Sequence, residues 1–315
     1  MNFIKNNRQL FRLILLSAGL IILGYFIAES GILENYQILL SVNIPLYLLA
    51  ICSTLAVIFF RIVRWKYLCS QYETLISWKE AAIVSVSSLF YANITPGKIG
   101  DIYKAYYMQK GHGMCIADGV SMIFYERFFE LMILFFAACA IVFIQLRGIT
   151  VIMLEVIAII LVLLLLFYYK IDFILKIIGM LSSWIPAFKK ISFDIQVKKI
   201  PFSKIAGVLV ITIFSLGFDF LQIWIVALAF GYVLNPIVMT IFYSLSILAG
   251  LVSQIPLGVG VTEGSMSYFL TLMGVASTDS IAIVLSSRLI SMYFVMVLGF
   301  IFSKFASDRL IEETA

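Results

Sequence analysis

The chain has 315 residues, of which 63% are apolar and 12% are charged, and its net charge is +5. With a mean hydropathy of +1.09, this composition excludes a water-soluble globule and indicates a polytopic membrane protein. The basic residues lie at the ends of apolar runs, where they set topology and meet anionic lipid, so nucleic acid is not an expected partner. Four scattered cysteines and one histidine predict neither a disulfide framework nor a metal site, and no cofactor is expected.

Apolar runs in chain order predict six full spans. They cover residues 13–28, 44–60, 119–143, 151–169, 205–230 and 281–302, each near the length that a bilayer requires. The first run, which follows a basic N-terminal segment, is interpreted as a span rather than as a cleaved signal peptide, because everything downstream is also membrane-like. Seven lysines against two aspartates in 170–204 predict a basic surface segment on one membrane face.

Two shorter apolar runs, 81–94 and 236–252, each lead into a break rich in proline and glycine. Runs this short predict helices that enter the membrane and turn back. Such a turn is tolerated only where protein or a wet cavity surrounds its unpaired backbone groups. The glycines are expected to serve turns and close packing rather than to cradle a phosphate. The predicted turn residues are Pro96, Gly97, Gly100, Pro256, Gly258 and Gly260.

Each break is followed by an arginine in an apolar helix at nearly the same distance. Arg127 lies 31 residues after Pro96, and Arg288 lies 32 residues after Pro256. Because three predicted spans separate the breaks, the two halves should insert in opposite orientations. The predicted fold is therefore an all-α polytopic membrane protein. It is one domain over 1–315, with two inverted-topology repeats at about 1–148 and about 149–315, six spans and two re-entrant hairpins.

The charges inside apolar segments are the candidate site. A charged side chain at the centre of a span costs roughly 2.5 to 3.5 kcal/mol, so these groups should face the interior of the bundle. On one helix, Arg127 and Glu130 are three residues apart and can pair. Two interpretations stay open: buried ion pairs that pin the hairpins, or positive charge presented to a lipid phosphate in a central cavity. The candidate substrate-binding residues are Arg127, Arg288, Lys98, Lys104, Asp101, Glu263, Glu126 and Glu130.

The first break, Pro-Gly-Lys-Ile-Gly-Asp-Ile-Tyr-Lys-Ala-Tyr at 96–106, resembles the Pro-Gly-Arg-x-Gly-Glu-x-x-Arg-Ala signature of the lysylphosphatidylglycerol synthase transmembrane-region family, the flippase-like proteins. Residues 61–65 resemble that family's Arg-x-x-Arg-Trp, and residues 126–130 resemble its Glu-Arg-x-x-Asp. The second break and Arg288 match later features, so the resemblance covers nearly the whole chain. Lysines replace arginines at 98 and 104, and Thr262 stands where the family usually has a basic residue.

This resemblance implies a lipid translocase that moves an anionic phospholipid or a lipid-phosphate-linked headgroup through a cavity between the two repeats. The soluble aminoacyl-transfer domain of the bifunctional members is not expected here, since the sequence ends at Ala315. The alternative is a membrane-embedded transferase, or a non-catalytic partner of one, acting on lipid-phosphate-linked sugars. A transporter without covalent chemistry is favoured over an enzyme. Large membrane transferases usually carry sizeable polar loops for the soluble substrate, whereas the longest polar segment here is the lysine-rich one.

The expected partners are a membrane phospholipid or polyprenyl-phosphate lipid and a separate lipid-modifying enzyme. The expected location is the cell inner (plasma) membrane with both termini cytoplasmic, because the predicted inner segments hold almost all lysines and arginines.

Overall fold

A computed structural model describes residues 42–145 and 200–312, with a few isolated positions between 17 and 37. The predicted spans at 13–28 and 151–169 and nearly all of the basic segment at 170–204 lie outside the continuous described residues. Within them the chain is helical and contains no strand. Three helical stretches, Ile44–Gln71, Lys204–Ala229 and Ser277–Phe305, are long and apolar enough to cross a bilayer. A polytopic helical membrane protein is therefore confirmed, whereas the number of spans and the repeat stay predictions.

Nine helices are described. A 3₁₀ turn, Pro96–Asp101, joins the second to the third, and another, Pro256–Gly258, joins the sixth to the seventh. A five-residue π turn, Leu289–Tyr293, joins the last two. In chain order the helices are α1 (Ile44–Gln71), α2 (Trp78–Asn93), α3 (Ile102–His112), α4 (Ile116–Gln145), α5 (Phe202–Ala229), α6 (Pro236–Val252), α7 (Val261–Leu272), α8 (Ser277–Arg288) and α9 (Phe294–Glu312).

Helix α1 continues 11 residues beyond the predicted end of its apolar run, from 60 to 71. The polar residues in this extension include Arg64, which is buried. A charge that points into protein does not end a helix, so the hydropathy boundary and the helix boundary differ here. The helix starts at 44, 78 and 236 are closer to the predicted starts at 44, 81 and 236. A capping box of Ser77 and Glu80 begins α2, and an asparagine cap with a proline in the first turn begins both α1 and α6.

Helices α1 and α5 pack antiparallel along their lengths. At one end the Asn43 amide donates to the Ala229 carbonyl over 2.9 Å, and at the other the Tyr67 hydroxyl donates to the Lys204 carbonyl over 3.0 Å. The glycine at 207 permits this approach, since a Cβ there would lie 2.5 Å from the Tyr67 hydroxyl. Each helix has 28 residues, about 42 Å, which exceeds the roughly 30 Å hydrocarbon core.

The first hairpin, α2 and α3, opens at the end where α1 finishes. Glu80 near the start of α2 and His112 at the end of α3 approach to 3.7 Å, so both helix ends lie on the same side. With 16 and 11 residues, the helices are about 24 and 17 Å long, which is short of a full crossing. Their joining turn folds back closely on α2, because a Cβ on Gly100 would lie 2.0 Å from the Tyr91 carbonyl oxygen.

The second hairpin, α6 and α7, opens at the other end, where Asn43 meets Ala229. The Tyr232 hydroxyl, just before α6, donates a hydrogen bond to Asp279, which lies in the first turn of α8, the helix after α7. That hydrogen bond raises the pKa of the Tyr232 hydroxyl above its ordinary value. The two hairpin bases therefore lie at opposite ends of the α1 and α5 pair. Their 3₁₀ turns are neighbours in the interior.

In both halves of the described structure, the helix that leads into a turn packs against a helix of the other half. Helix α2, which leads into the first turn, packs against α9, which follows α8 and the π turn. Helix α6, which leads into the second turn, packs against α4, the long helix that follows the first hairpin. The apolar core correspondingly forms two large clusters, one around Trp65 and Met122 and one around Ile223 and Met266. This exchange of helices brings both turns to one central region.

Candidate functional site

In the first turn, the Thr95 side chain holds the backbone by hydrogen bonds, and Lys98 has a strained backbone conformation. The Thr95 hydroxyl accepts from the Gly100 amide over 2.7 Å and donates to the Tyr91 carbonyl over 2.9 Å. Lys98, within this turn, has a φ of 56°, a left-handed conformation that is costly for a residue with a side chain. The turn therefore fixes Lys98 in a position that an unconstrained chain would seldom choose.

The second turn is built from glycines and a buried carboxylate. Leu257, Gly258 and Gly260 all have positive φ, and the Gly260 amide donates to Glu263 over 2.8 Å. Thr262 fills the space above Gly258, where a Cβ would lie 2.6 Å from the threonine hydroxyl. A long basic side chain at 262 would need a different arrangement, which gives the threonine at this position a packing role.

A continuous series of ion pairs, here called the first network, joins α1, the first turn, α3 and α4. Arg127 donates to Asp101 over 2.7 Å and to Glu130 over 2.5 Å. Arg64 donates to Glu130 over 2.6 Å and to Glu126 over 3.1 Å. It also donates to the Thr212 hydroxyl of α5 over 3.2 Å. Every arginine in the network therefore bridges two acids.

Lys104 completes the first network. Its ammonium lies 2.6 Å from Glu126 and 4.8 Å from the centre of the Trp65 ring, so an ion pair and a cation–π contact hold it. Three cations then face three acids, Arg64, Lys104 and Arg127 against Asp101, Glu126 and Glu130. The network is neutral and deeply buried, with the Arg127 side chain the most exposed at 20%.

A smaller cluster holds the second turn. Arg288 donates to Glu263 over 2.6 Å and to the Leu257 carbonyl over 2.6 Å. Arg127 and Arg288 are each the twelfth residue of their helices, counted from Ile116 and Ser277. In both halves, then, an arginine at the same helical position pairs with an acid at or just after the preceding turn, Asp101 in the first half and Glu263 in the second.

Between these two clusters lies a cavity of about 140 Å³, here called the basic cavity. Its lining includes Arg61 of α1, Lys98 of the first turn, Arg288 of α8 and one carboxylate, Asp219 of α5. Within the described ranges, Arg61 and Lys98 form no ion pair, and the Arg61 Nε is buried without a hydrogen-bond partner. The cavity therefore presents positive charge that the surrounding protein does not neutralise.

The structure divides the predicted site residues into two groups. Lys98 and Arg288 line the basic cavity. The predicted turn residues Pro96, Gly97 and Gly100 lie in the first 3₁₀ turn, and Pro256, Gly258 and Gly260 lie in or directly after the second. The ion pair predicted between Arg127 and Glu130 is present. The other predicted site residues, Asp101, Lys104, Glu126, Arg127, Glu130 and Glu263, belong to the charge clusters beside the cavity, and their contact with a substrate stays a prediction.

Two charged residues that line the cavity were not among the predicted site residues. Arg61 belongs to the arginine pair at the end of an apolar run, and Asp219 is the single charge inside the run from 205 to 230. Both signals were visible in the sequence. What the sequence could not show is that Arg61 and Asp219, each the eighteenth residue of its helix, line the same cavity, because this depends on how α1 and α5 pack.

Comparison with known proteins gives a match over nearly the whole chain. A family model described as the lysylphosphatidylglycerol synthase TM region matches residues 9–299. A UPF0104 membrane protein of Methanocaldococcus jannaschii is 23% identical, covering 91% of this chain and 93% of that protein. A second, from Methanothermobacter thermautotrophicus, is 24% identical and covers 84% of each.

Proposed function

The chain belongs to the lysylphosphatidylglycerol synthase transmembrane-region family, and from this premise we propose that it is a lipid translocase. It moves an anionic phospholipid or a lipid-phosphate-linked headgroup across the bilayer without covalent chemistry. The headgroup passes through the basic cavity while the acyl or prenyl chains stay in the hydrocarbon.

One observation carries the proposal, the unpaired charge of Arg61 and Lys98 beside Arg288. A lone cation at membrane depth costs several kcal/mol, so it is retained where it has a partner or a ligand. Phosphate oxygens supply the acceptors that these donors lack, and charge-assisted hydrogen bonds to them are about twice as strong as neutral ones. An anionic headgroup is therefore the occupant that best completes this cavity.

In this proposal the neutral first network has a structural role. It pins the first hairpin through Asp101 and Arg127, and the Arg288 and Glu263 pair pins the second. The two interpretations of the buried charges then hold together. Paired charges fix the hairpins, and the unpaired charges between them contact the lipid.

The arrangement of helices supports alternating access between two inverted repeats, about 1–148 and about 149–315. The antiparallel α1 and α5, the hairpin bases at opposite ends and the exchanged packing of α2 and α6 are what such a relation requires. Rocking of one repeat against the other opens the central cavity to each leaflet in turn. The two turns, which meet at the cavity, form its moving walls.

Charge distribution supports an orientation in the inner membrane. The end where α1 finishes and the first hairpin opens carries Lys66, Lys79, Lys110 and Lys204, and α9 brings Lys304 towards it. At the opposite end the described loops, 42–43, 230–235 and 273–276, carry neither lysine nor arginine. By the positive-inside rule the lysine-rich end is cytoplasmic, and α9 returns the chain to that side.

Native mass spectrometry of protein extracted in mild detergent tests the proposal. The wild type should retain an anionic phospholipid or lipid phosphate. The double variant Arg61→Gln, Lys98→Gln should retain at least about tenfold less, because two charge-assisted contacts are lost. The control is Lys79→Gln, which removes one charge from an exposed side chain.

The double variant should fold about as well as the wild type, because Arg61 and Lys98 are partly exposed and form no ion pair among the described residues that the change would break. Its thermal midpoint in detergent should therefore be nearly unchanged. Equal retention of anionic lipid by wild type and double variant would count against the cavity as the lipid site.

A further inference from the structure

Asp219 is the single acid among the described residues that line the basic cavity. It forms no ion pair in the described part of the chain, and its side chain is partly exposed to the cavity. An aspartate in the middle of an apolar helix is costly. Neither charge cluster uses it, and the partner of its side chain is the hydroxyl of Tyr243, which also lines the cavity.

The charge of the cavity can be counted from its contacts. The first network is neutral, and Glu263 balances Arg288. As formal charges, Arg61 and Lys98 contribute two positive charges and an ionised Asp219 one negative charge, which leaves a net charge of +1. Burial opposes the ionised form of Asp219, whereas Arg61, Lys98 and Arg288, which share the cavity, favour it.

Resting on the proposed function, we infer that Asp219 is a specificity-determining residue that limits the headgroup in the cavity to one negative charge. A monoanionic phosphodiester neutralises the remaining +1. A dianionic phosphomonoester brings one charge that no cation balances, and an unbalanced charge in a low-dielectric site is strongly disfavoured.

The size of the cavity supports discrimination by charge. Its volume of about 140 Å³ is close to that of a protein cavity that holds one benzene-sized molecule, about 150 Å³. Such a space accommodates a phosphate and the first atoms of its ester groups. A sugar-sized headgroup would extend beyond this space, so the part of the lipid that the cavity contacts is the charged phosphate.

The test compares two tail-labelled fluorescent lipids in proteoliposomes at pH 7, a monoanionic phosphatidylglycerol and phosphatidic acid, whose phosphomonoester carries more than one negative charge. The rate at which inner-leaflet label becomes accessible to an impermeant quencher is measured. The wild type should move phosphatidylglycerol faster. Asp219→Asn should shift the ratio of rates towards phosphatidic acid by about tenfold or more, since a unit charge a few ångströms away is worth at least that factor.

Three further variants make the result specific. Asp219→Glu keeps the charge and should keep the wild-type ratio. Asp279→Asn makes the same chemical change outside the cavity, at the Tyr232 hydrogen bond, and should also leave the ratio unchanged. Arg61→Gln lowers the cavity charge to zero and should shift transport the opposite way, towards zwitterionic phosphatidylethanolamine.

The outcomes separate the two proposals. If the wild type moves lipid but neither Asp219→Asn nor Arg61→Gln changes the ratios, the role of Asp219 is wrong and translocation stands. If the folded wild type moves none of the three lipids, the proposed function fails and the inference fails with it. If Asp219→Asn does not fold, the Arg61→Gln ratio alone decides, because both variants test the same charge count.

Discussion

Arg64 shows how a buried positive charge is stabilised in this helical bundle. Only 1% of the residue is exposed, yet its guanidinium donates to Glu126, Glu130 and Thr212, on two different helices. An arginine suits this position because its planar fork contacts several acceptors at once, whereas a lysine is a point charge. The contrast with Arg61, one helical turn earlier, is the basis of the functional proposal.

Arg127→Ala should destabilise the protein more than Arg127→Lys. Asp101 is 1% exposed, and its side chain receives hydrogen bonds from Arg127 alone among the described residues. Alanine leaves this carboxylate buried and unpaired, at a cost of about 3 to 5 kcal/mol. Lysine can still reach one acid but loses the two-sided bridge, so a smaller loss is expected.

The measurement for Arg127 is the thermal midpoint in detergent, with Lys79→Ala as the exposed control. Equal midpoints for Arg127→Ala and wild type would show that Arg127 does not pin the hairpin. We also expect Arg127→Lys to lose lipid movement. Full transport by Arg127→Lys, with stability lost only in Arg127→Ala, would leave Arg127 a purely structural residue.

Residue spacing predicted the contacts within a helix but not those between helices. The pairing of Arg127 with Glu130 follows from a separation of three residues on one helix. The pairing of Arg64 with Glu126 joins residues 62 apart in the chain, and no local pattern specifies it. Arg61 and Asp219 were missed for the same reason, since their shared cavity depends on how α1 and α5 pack.

At the scale of elements, the two hairpins are the feature that the sequence specified best. The proline and glycine breaks lie in 3₁₀ turns, and α6 has the predicted bounds of 236–252. The last span, predicted over 281–302, lies within one helical stretch, Ser277–Phe305, which contains a π turn directly after Arg288. Hydropathy does not report such a local change in helical hydrogen bonding.

Cysteine labelling tests the opposed hairpins. In a variant whose native cysteines are replaced by alanine, Lys110→Cys at the base of the first hairpin and Ser277→Cys beyond the second are both exposed. An impermeant reagent added to intact cells should label only Ser277→Cys, and permeabilisation should be required for Lys110→Cys. Equal labelling of both from the same face would contradict the inverted arrangement.

At the scale of the molecule, the two halves of the described structure correspond only in part. Helices α1 and α5 have equal lengths and the arginines at 127 and 288 hold the same helical position, but the matching positions of α1 and α5 carry opposite charges, Arg61 and Asp219. In the proposed translocase, an approximately symmetric scaffold would provide two similar open states, and Arg61 and Asp219 would lie at the centre of both.

Lipid movement itself tests the central claim most directly. Purified protein in liposomes containing a tail-labelled fluorescent phosphatidylglycerol is compared with empty liposomes and with the Arg61→Gln, Lys98→Gln double variant. Lipids recovered afterwards are checked by mass spectrometry for chemical change. The account predicts that the wild type makes inner-leaflet label accessible at least about tenfold faster than the double variant, with the lipid chemically unchanged. Equal rates for wild type and double variant, or a covalently altered lipid, would contradict it.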